Sequence, residues 1–134
     1  MDRNKLLVIK LAYWLGIVAD AFWAAALSIP SLFGAFIGRP DFEPDFQTRL
    51  IMWIGAVLMT GWTLLLIWAV KKPIERRVII LVTAVPVVLG LFMIAVVDYL
   101  NGNSFVQWII IKCTILIFAM IASYVFSSKI AKRY

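Results

Sequence analysis

The chain has 134 residues, of which 64% are hydrophobic, and its mean hydropathy is +0.99. A soluble domain of this size has too little interior for so much apolar surface, so the composition indicates an integral membrane protein. The net charge is +6, there is no histidine, and Cys113 is the one cysteine. These counts argue against bis-histidine haem, the usual zinc sites, histidine-based triads and redox exchange between paired thiols.

The positive charge is concentrated beside apolar runs. Ten of the 13 Lys and Arg residues form three clusters, namely Arg3, Lys5 and Lys10; Lys71, Lys72, Arg76 and Arg77; and Lys129, Lys132 and Arg133. By the positive-inside rule this pattern predicts a multi-pass protein of the cell membrane with both termini and the Lys71–Arg77 loop in the cytoplasm. We interpret the charge as a determinant of topology with attraction for anionic lipids at the cytoplasmic face, and we expect no nucleic-acid partner.

The first apolar run, Leu11 to Ile29, has transmembrane length and contains one carboxylate, Asp20. A charged side chain at membrane depth is costly, so it usually faces the protein interior and is often functional. The residues at four-residue spacing through Asp20 are all small: Ala12, Gly16, Ala24 and Ser28. Such a ridge lets membrane helices approach closely, so we expect Asp20 to face other protein rather than lipid. Because of Asp20 and its length, the run is expected to be a span rather than a signal peptide.

Pro30 follows the first run, and the residues after it, Ser31 to Gly38, are still apolar. A helix from Leu11 to Gly38 would be about 42 Å long, against a hydrocarbon core of about 30 Å. We therefore predict that the helix stops or kinks sharply at Pro30 and that Ser31 to Gly38 lies at the membrane interface.

The segment Arg39 to Arg49 contains two prolines and three acidic residues, which predicts a rigid external loop. Asp45 is expected to cap the second helix. The alternation of Asp41, Glu43 and Asp45 loosely resembles the start of a calcium loop, but the required glycine and the final glutamate are missing, so we expect no metal site.

Three further apolar runs predict spans at about 50–70, 78–97 and 105–126, in addition to 11–29. Pro86 and Gly90 predict a mild kink in the third span. Asn101, Gly102 and Asn103 predict a turn between the third and fourth spans. The fold class expected is all-α, a four-helix transmembrane bundle that forms a single domain over residues 1–134.

Ionisable residues in or near the spans are the first candidates for a ligand or ion site. Asp20 and Lys112 each lie eight residues from an outer helix end, Ser28 and Ser104, so both are expected about 12 Å below the outer boundary. Opposite charges at matched depth should pair, because each alone would be an expensive buried ion. In that case Asp20→Asn should destabilise the protein. Lys112 could instead reach outward to Asp98, which is expected at a solvated helix end.

Aromatic residues are the second group of candidates. Trp23 and Tyr13 lie on the same helical face as Asp20, and a carboxylate flanked by such rings can hold a cation. Trp62 lies mid-membrane in the second span, where its indole N–H requires an acceptor. Ordinary packing and interfacial anchoring explain the same residues and are the preferred interpretation. Cys113 is expected to be a small packed side chain.

The layout of four short spans with one acid in the first resembles the small multidrug resistance transporters. In that family a membrane-embedded glutamate exchanges protons for cationic drugs, which would imply the same role for Asp20. This chain has aspartate in that place and lacks the family's glycine-rich third and fourth spans.

The sequence leaves two functions open. One is a small transport or binding protein that holds a small hydrophobic or cationic ligand at Asp20, with a homo-oligomer or a cleft between helices as its path. The other is a structural, accessory or lipid-binding subunit in which Asp20 and Lys112 lock the bundle. Without histidine, a metal cluster or a thiol pair, we expect neither catalytic activity nor a cofactor.

Overall fold

The computed structural model describes residues 3–131, which are helical with short connections and contain no strand. This confirms the all-α fold class. Its helices are α1 (Arg3–Ser28), α2 (Pro30–Phe36), α3 (Phe46–Val70), α4 (Arg77–Val82), α5 (Leu89–Leu100) and α6 (Gln107–Ala131). A π-helical turn, Thr83–Val88, joins α4 to α5, and a 3₁₀ turn, Ser104–Val106, precedes α6.

Four helical stretches are long and apolar enough to cross a membrane, as the sequence predicted: Arg3–Ser28, Phe46–Val70, Arg77–Leu100 and Ser104–Ala131. Each extends beyond the apolar run that predicted it. The largest extension is at the start of α1, which begins at Arg3 rather than Leu11. Lysine and arginine stems can continue such a helix past the hydrocarbon, since their charged heads reach water while the stem stays with the helix.

The break predicted at Pro30 is confirmed. Helix α1 ends at Ser28, and Ile29 is extended, with φ −122° and ψ 103°. A residue that precedes proline is disfavoured in the helical region because the proline ring crowds its backbone. Pro30 then starts α2, where its missing N–H costs no hydrogen bond.

Helix α2 ends in a tight backbone reversal that depends on two glycines. Gly38 has φ 75°, and its N–H donates to the Ala35 carbonyl while the Arg39 N–H donates to the Gly34 carbonyl. This is the left-handed helix end for which glycine is preferred. A Cβ on Gly34 would lie 2.5 Å from the Arg39 carbonyl oxygen and 2.8 Å from Phe42 Cβ, so the chain returns too closely for any larger residue.

Pro86 lies inside the π-helical turn rather than at a mild kink of an α-helix. Proline has no N–H to donate, and in an α-helix its ring clashes with the carbonyl four residues earlier, here that of Val82. The wider π turn relieves this clash, and its bonding pattern is seen where Leu89 N–H donates to the Ala84 carbonyl five residues back.

By its internal contacts the chain divides into two compact units. The terminal unit comprises the chain up to Gly16 and from Leu66 onwards, and the central unit comprises Ile17–Leu65. In the terminal unit, α6 packs against α4, the π-helical turn and α5. Its most buried large side chains are Ile9, Tyr13, Leu66, Ile80 and Met120. The buried residues of the central unit are Ile17, Asp20, Ala24, Ala26, Gly34, Met52, Ala56 and Thr63.

Candidate functional site

Asp20 lies in the central unit on the buried face of α1. Its side chain is 5% exposed, and the residues one turn to either side, Ile17 and Ala24, are also buried. Val18, which points away from that face, is 63% exposed. The expectation that Asp20 is turned inward is therefore confirmed.

One oxygen of the Asp20 carboxylate has no hydrogen-bond partner within residues 3–131. Its Oδ2 atom is buried and accepts no hydrogen bond from any residue in the described range 3–131. Burial of an ionised carboxylate is costly unless it is paired and hydrogen-bonded, so such a group either keeps a proton or attracts a cation. This is the chemical property that makes Asp20 the centre of the candidate site.

The small ridge of α1 is buried along most of its length. Ala12, Gly16 and Ala24 are buried, whereas Ser28 is exposed and its hydroxyl donates to the Ala24 carbonyl at 2.7 Å. A Cβ on Gly16 would lie 2.7 Å from Met120 Cε. The end of the Met120 side chain therefore packs directly on Gly16, and the buried part of the ridge ends before Ser28. The close approach of helices that the ridge predicts stays a prediction.

An aromatic cluster begins one turn after Asp20. The Trp23 and Phe36 rings meet edge-to-face with centroids 4.9 Å apart, and the Phe22 and Phe36 rings meet in the same way at 5.2 Å. From the sequence, Trp23 was a candidate for a cation site at the carboxylate, with ordinary packing as the preferred interpretation. The structure shows it half-buried on α1 with Phe36 of α2 as a ring partner.

Tyr13, the second aromatic candidate for that cation site, has a hydrogen-bond partner in the terminal unit. The side chain is fully buried, and its hydroxyl donates to the Arg76 backbone carbonyl at 3.0 Å. This bond ties α1 to the connection before α4. Its hydroxyl is thus committed to a structural contact.

Asp98 lies in the last turn of α5, where its side chain is half-buried. It accepts a hydrogen bond from Asn103 Nδ2 at 2.9 Å, and the Asn103 N–H donates to its backbone carbonyl. Gly102, with φ 97°, makes the left-handed reversal between them. The turn predicted at Asn101 to Asn103 is confirmed as the end of this helix.

The two remaining candidates lie on different helices. Lys112 is exposed on α6 in the terminal unit, beside the buried Cys113, and Trp62 is half-buried on α3 in the central unit. The sequence predicted an ion pair between Lys112 and Asp20. That ion pair stays a prediction.

The acidic loop, Arg39 to Asp45, supplies the cap at the start of α3. Asp45 precedes Phe46, and its Oδ1 accepts the Thr48 backbone N–H at 2.9 Å, which confirms the predicted cap. Hydrogen bonding by Thr48, from its side chain and then its backbone, lowers the pKa of the Asp45 carboxyl. Within residues 3–131 no three potential metal ligands come together.

The sequence did not indicate the role of Arg76. Its guanidinium lies over the Trp68 ring, 3.4 Å from the centroid, and donates to the Trp68 carbonyl. The two residues are separated by the end of α3, so no helical spacing relates them. The available signal was the basic loop Lys71–Arg77, which was interpreted as a determinant of topology.

Comparison with known proteins gives no relative. No family model, no curated protein and no solved structure matches this chain. Function is therefore inferred from the side chains themselves.

Proposed function

We propose that this chain is a small multi-pass membrane protein that binds a small hydrophobic cation at Asp20 and exchanges it for a proton. The observation that carries the proposal is Asp20 Oδ2, which is buried and receives no hydrogen bond from residues 3–131. A carboxylate whose role was to hold the fold together would be expected to have donors around it.

The chemistry follows from the charge of that group. An ionised carboxylate in a medium of low dielectric constant attracts a cation strongly, whereas a protonated carboxyl does not. A cation and a proton therefore compete for Asp20, which is the basis of an exchange. Trp23, three residues further along α1 and partly exposed, supplies aromatic surface for the apolar part of such a ligand.

A thermal-shift titration with tetraphenylphosphonium tests the proposal on the full chain in a neutral detergent. A ligand at about 100 times its Kd stabilises a folded protein by about 2.7 kcal/mol, so binding should raise the unfolding temperature of the wild type measurably. Asp20→Asn, which removes the charge at almost constant volume, should abolish the shift. Acidification should weaken it in the wild type, because the proton takes the same site.

Two controls make the test specific. Asp98→Asn removes an aspartate that already has a partner in Asn103, so the shift should remain. Triphenylphosphine oxide, a related compound without net charge, should give no shift. Equal shifts for wild type and Asp20→Asn would contradict the proposal.

The alternative function is a structural, accessory or lipid-binding subunit with neither transport nor catalytic activity. It is favoured by two contacts of Arg76 that hold the helices together. Its backbone carbonyl accepts the Tyr13 hydroxyl, and its guanidinium packs on the Trp68 ring and donates to the Trp68 carbonyl. A stable protein partner on purification, together with no response to the cation, would support it.

The orientation in the cell membrane belongs to the same proposal. In intact cells, with Cys113→Ser as background, an impermeant thiol reagent should label Glu43→Cys but not Ile74→Cys. That labelling pattern would mean that the acidic loop is outside the cell and that the basic loop and both termini are inside. Labelling at position 74 but not at 43 would reverse the topology.

A further inference from the structure

A cleft of about 270 Å³ lies in the terminal unit, between the start of α1 and the connection from α3 to α4. Its rim carries Lys10, Lys71, Lys72 and Glu75, and apolar side chains including Leu6 and Ile74 line the rest. We propose that this cleft binds the phosphate headgroup of an anionic phospholipid. The site is separate from Asp20 and does not depend on the function proposed there.

The basic side chains of the connection between α3 and α4 differ in whether they already have a partner. A side chain that already has a partner in the protein is less able to bind a ligand. Arg76 is committed to the Trp68 ring and carbonyl, and Arg77 donates to the Ile74 carbonyl at 3.1 Å. The Lys72 ammonium pairs with the Glu75 carboxylate at 3.1 Å.

Two lysines on the rim remain available. Lys10 and Lys71 are both exposed, and the side-chain ammonium of neither makes a hydrogen bond or ion pair with another residue of the range 3–131. Lys10 lies on α1 and Lys71 lies in the connection that follows α3, and both line the same cleft. Two ammonium groups that face one cleft can share a phosphate, for which lysine is a frequent ligand.

The walls of the cleft are held in place before any ligand arrives. Tyr13, one turn after Lys10, donates its hydroxyl to the Arg76 carbonyl and so fixes α1 against the connection. Within the connection, Lys72 N–H donates to the Ala69 carbonyl and Arg76 N–H donates to the Lys72 carbonyl, each at 3.1 Å. A site fixed in this way loses less entropy when it binds.

The position of the cleft favours a lipid over a free anion. Lys71 directly follows Val70, the last residue of α3, and Arg77 begins the next helix that is apolar enough to cross a membrane. Phosphates of lipids lie at this boundary, where basic residues beside a span attract anionic headgroups. Leu6 and Ile74 add apolar surface that a glycerophospholipid can contact and inorganic phosphate cannot.

The experiment measures lipid binding to the full chain in a neutral detergent by native mass spectrometry and thermal shift. Phosphatidylglycerol should bind one molecule per chain, whereas phosphatidylcholine and inorganic phosphate should bind weakly. Lys10→Gln with Lys71→Gln should weaken phosphatidylglycerol binding about tenfold or more, because the loss of both charge-assisted contacts removes the basis of recognition.

A matched variant separates this site from general charge attraction. Arg49→Gln with Lys129→Gln removes two exposed positive charges elsewhere and should change the affinity by less than about twofold, the effect expected of distant screened charges. Tyr13→Phe keeps every charge but removes the hydrogen bond that fixes α1 against the connection, so it should also weaken phosphatidylglycerol binding. Asp20→Asn should bind phosphatidylglycerol as the wild type does.

Three results would overturn the proposal. Equal losses in the two double variants would show attraction by net charge alone. Equal binding of phosphatidylcholine would show that the anionic headgroup is not recognised, and equal binding of inorganic phosphate would show a free-anion site. A wild type that binds phosphatidylglycerol but shows no thermal shift with tetraphenylphosphonium would refute the function proposed for Asp20 and leave this lipid site standing.

Discussion

Two polar side chains on α1, Tyr13 in the terminal unit and Asp20 in the central unit, are buried to almost the same degree. They are 0% and 5% exposed, respectively. Tyr13 donates its hydroxyl to the Arg76 carbonyl, whereas Asp20 Oδ2 receives no hydrogen bond from any described residue.

Burial alone therefore does not distinguish a structural polar group from a functional one. The hydroxyl of Tyr13 is accounted for by the fold, because its bond joins two distant parts of the terminal unit. The Oδ2 atom of Asp20 has no comparable hydrogen bond, and an uncompensated buried charge is costly. The presence or absence of a hydrogen-bond partner is therefore the property on which we base the structural role of Tyr13 and the ligand role proposed for Asp20.

The largest effect is expected at Gly16, which lies between these two residues on α1. A side chain there meets Met120, since an added Cβ would already be 2.7 Å from Met120 Cε. Gly16→Leu should lower the free energy of unfolding by about 1–3 kcal/mol, the cost of overpacking a close contact. Equilibrium unfolding in mixed micelles measures it.

Val18→Leu is the matched control for Gly16→Leu, because Val18 is 63% exposed. It should leave the unfolding free energy nearly unchanged. Equal stability of the two variants would show that the ridge of α1 is not a packing surface.

A smaller effect is expected at Tyr13. Tyr13→Phe removes the donor to the Arg76 carbonyl and should cost about 0.5–1.5 kcal/mol in the same unfolding measurement. Tyr124→Phe is the control, since the Tyr124 hydroxyl has no hydrogen-bond partner within residues 3–131. If Tyr13→Phe is as stable as Tyr124→Phe, the Tyr13 hydrogen bond does not stabilise the fold, and the contrast with Asp20 fails.

Asp45 offers a carboxylate that has a partner, in contrast to Asp20. Because its pKa is lowered in the folded protein, its contribution to the start of α3 is complete above the ordinary aspartate pKa. The contribution is lost as pH falls through the lowered value. At constant pH, hydrogen exchange at the Thr48 amide should be faster in Asp45→Ala than in the wild type. The wild-type protection factor, the exchange rate of the unfolded chain divided by that of the folded protein at the same pH, should fall with acid.

Asp45→Asn keeps an acceptor oxygen without the titration, so its protection at Thr48 should lose this acid dependence. Protection that falls equally with acid in Asp45→Asn would mean that another group controls the helix start.

The smallest effect is expected in a double-mutant cycle of Asp20→Asn and Lys112→Met. If Asp20 serves a ligand, the two changes in unfolding free energy should add within about 0.5 kcal/mol. If the ion pair predicted from matched depth exists, the double variant should recover part of the loss caused by Asp20→Asn. Such a recovery would give Asp20 a structural partner and remove the contrast with Tyr13.

Local chemistry explains which features could be predicted from the sequence. The stop at Pro30, the cap at Asp45 and the turn at Gly102 each depend on a few neighbouring residues, and all three are present. The π-helical turn at Pro86 was foreseen as a mild kink, because proline requires a distortion but the surrounding helix decides its form. Helix α1 begins at Arg3, before the span predicted from Leu11, because hydropathy marks the apolar run and not the whole helix.

The sequence by itself determined the four apolar helices, since their lengths and hydropathy are properties of contiguous residues. It also determined that Asp20 would be turned inward, because a charge within such a run avoids lipid. Only the tertiary structure decided which buried polar groups have partners. The acceptor for Tyr13 lies 63 residues away along the chain, and the arginine that covers Trp68 lies beyond the end of its helix. Contacts of this kind depend on how helices pack, and no local pattern of residues encodes them.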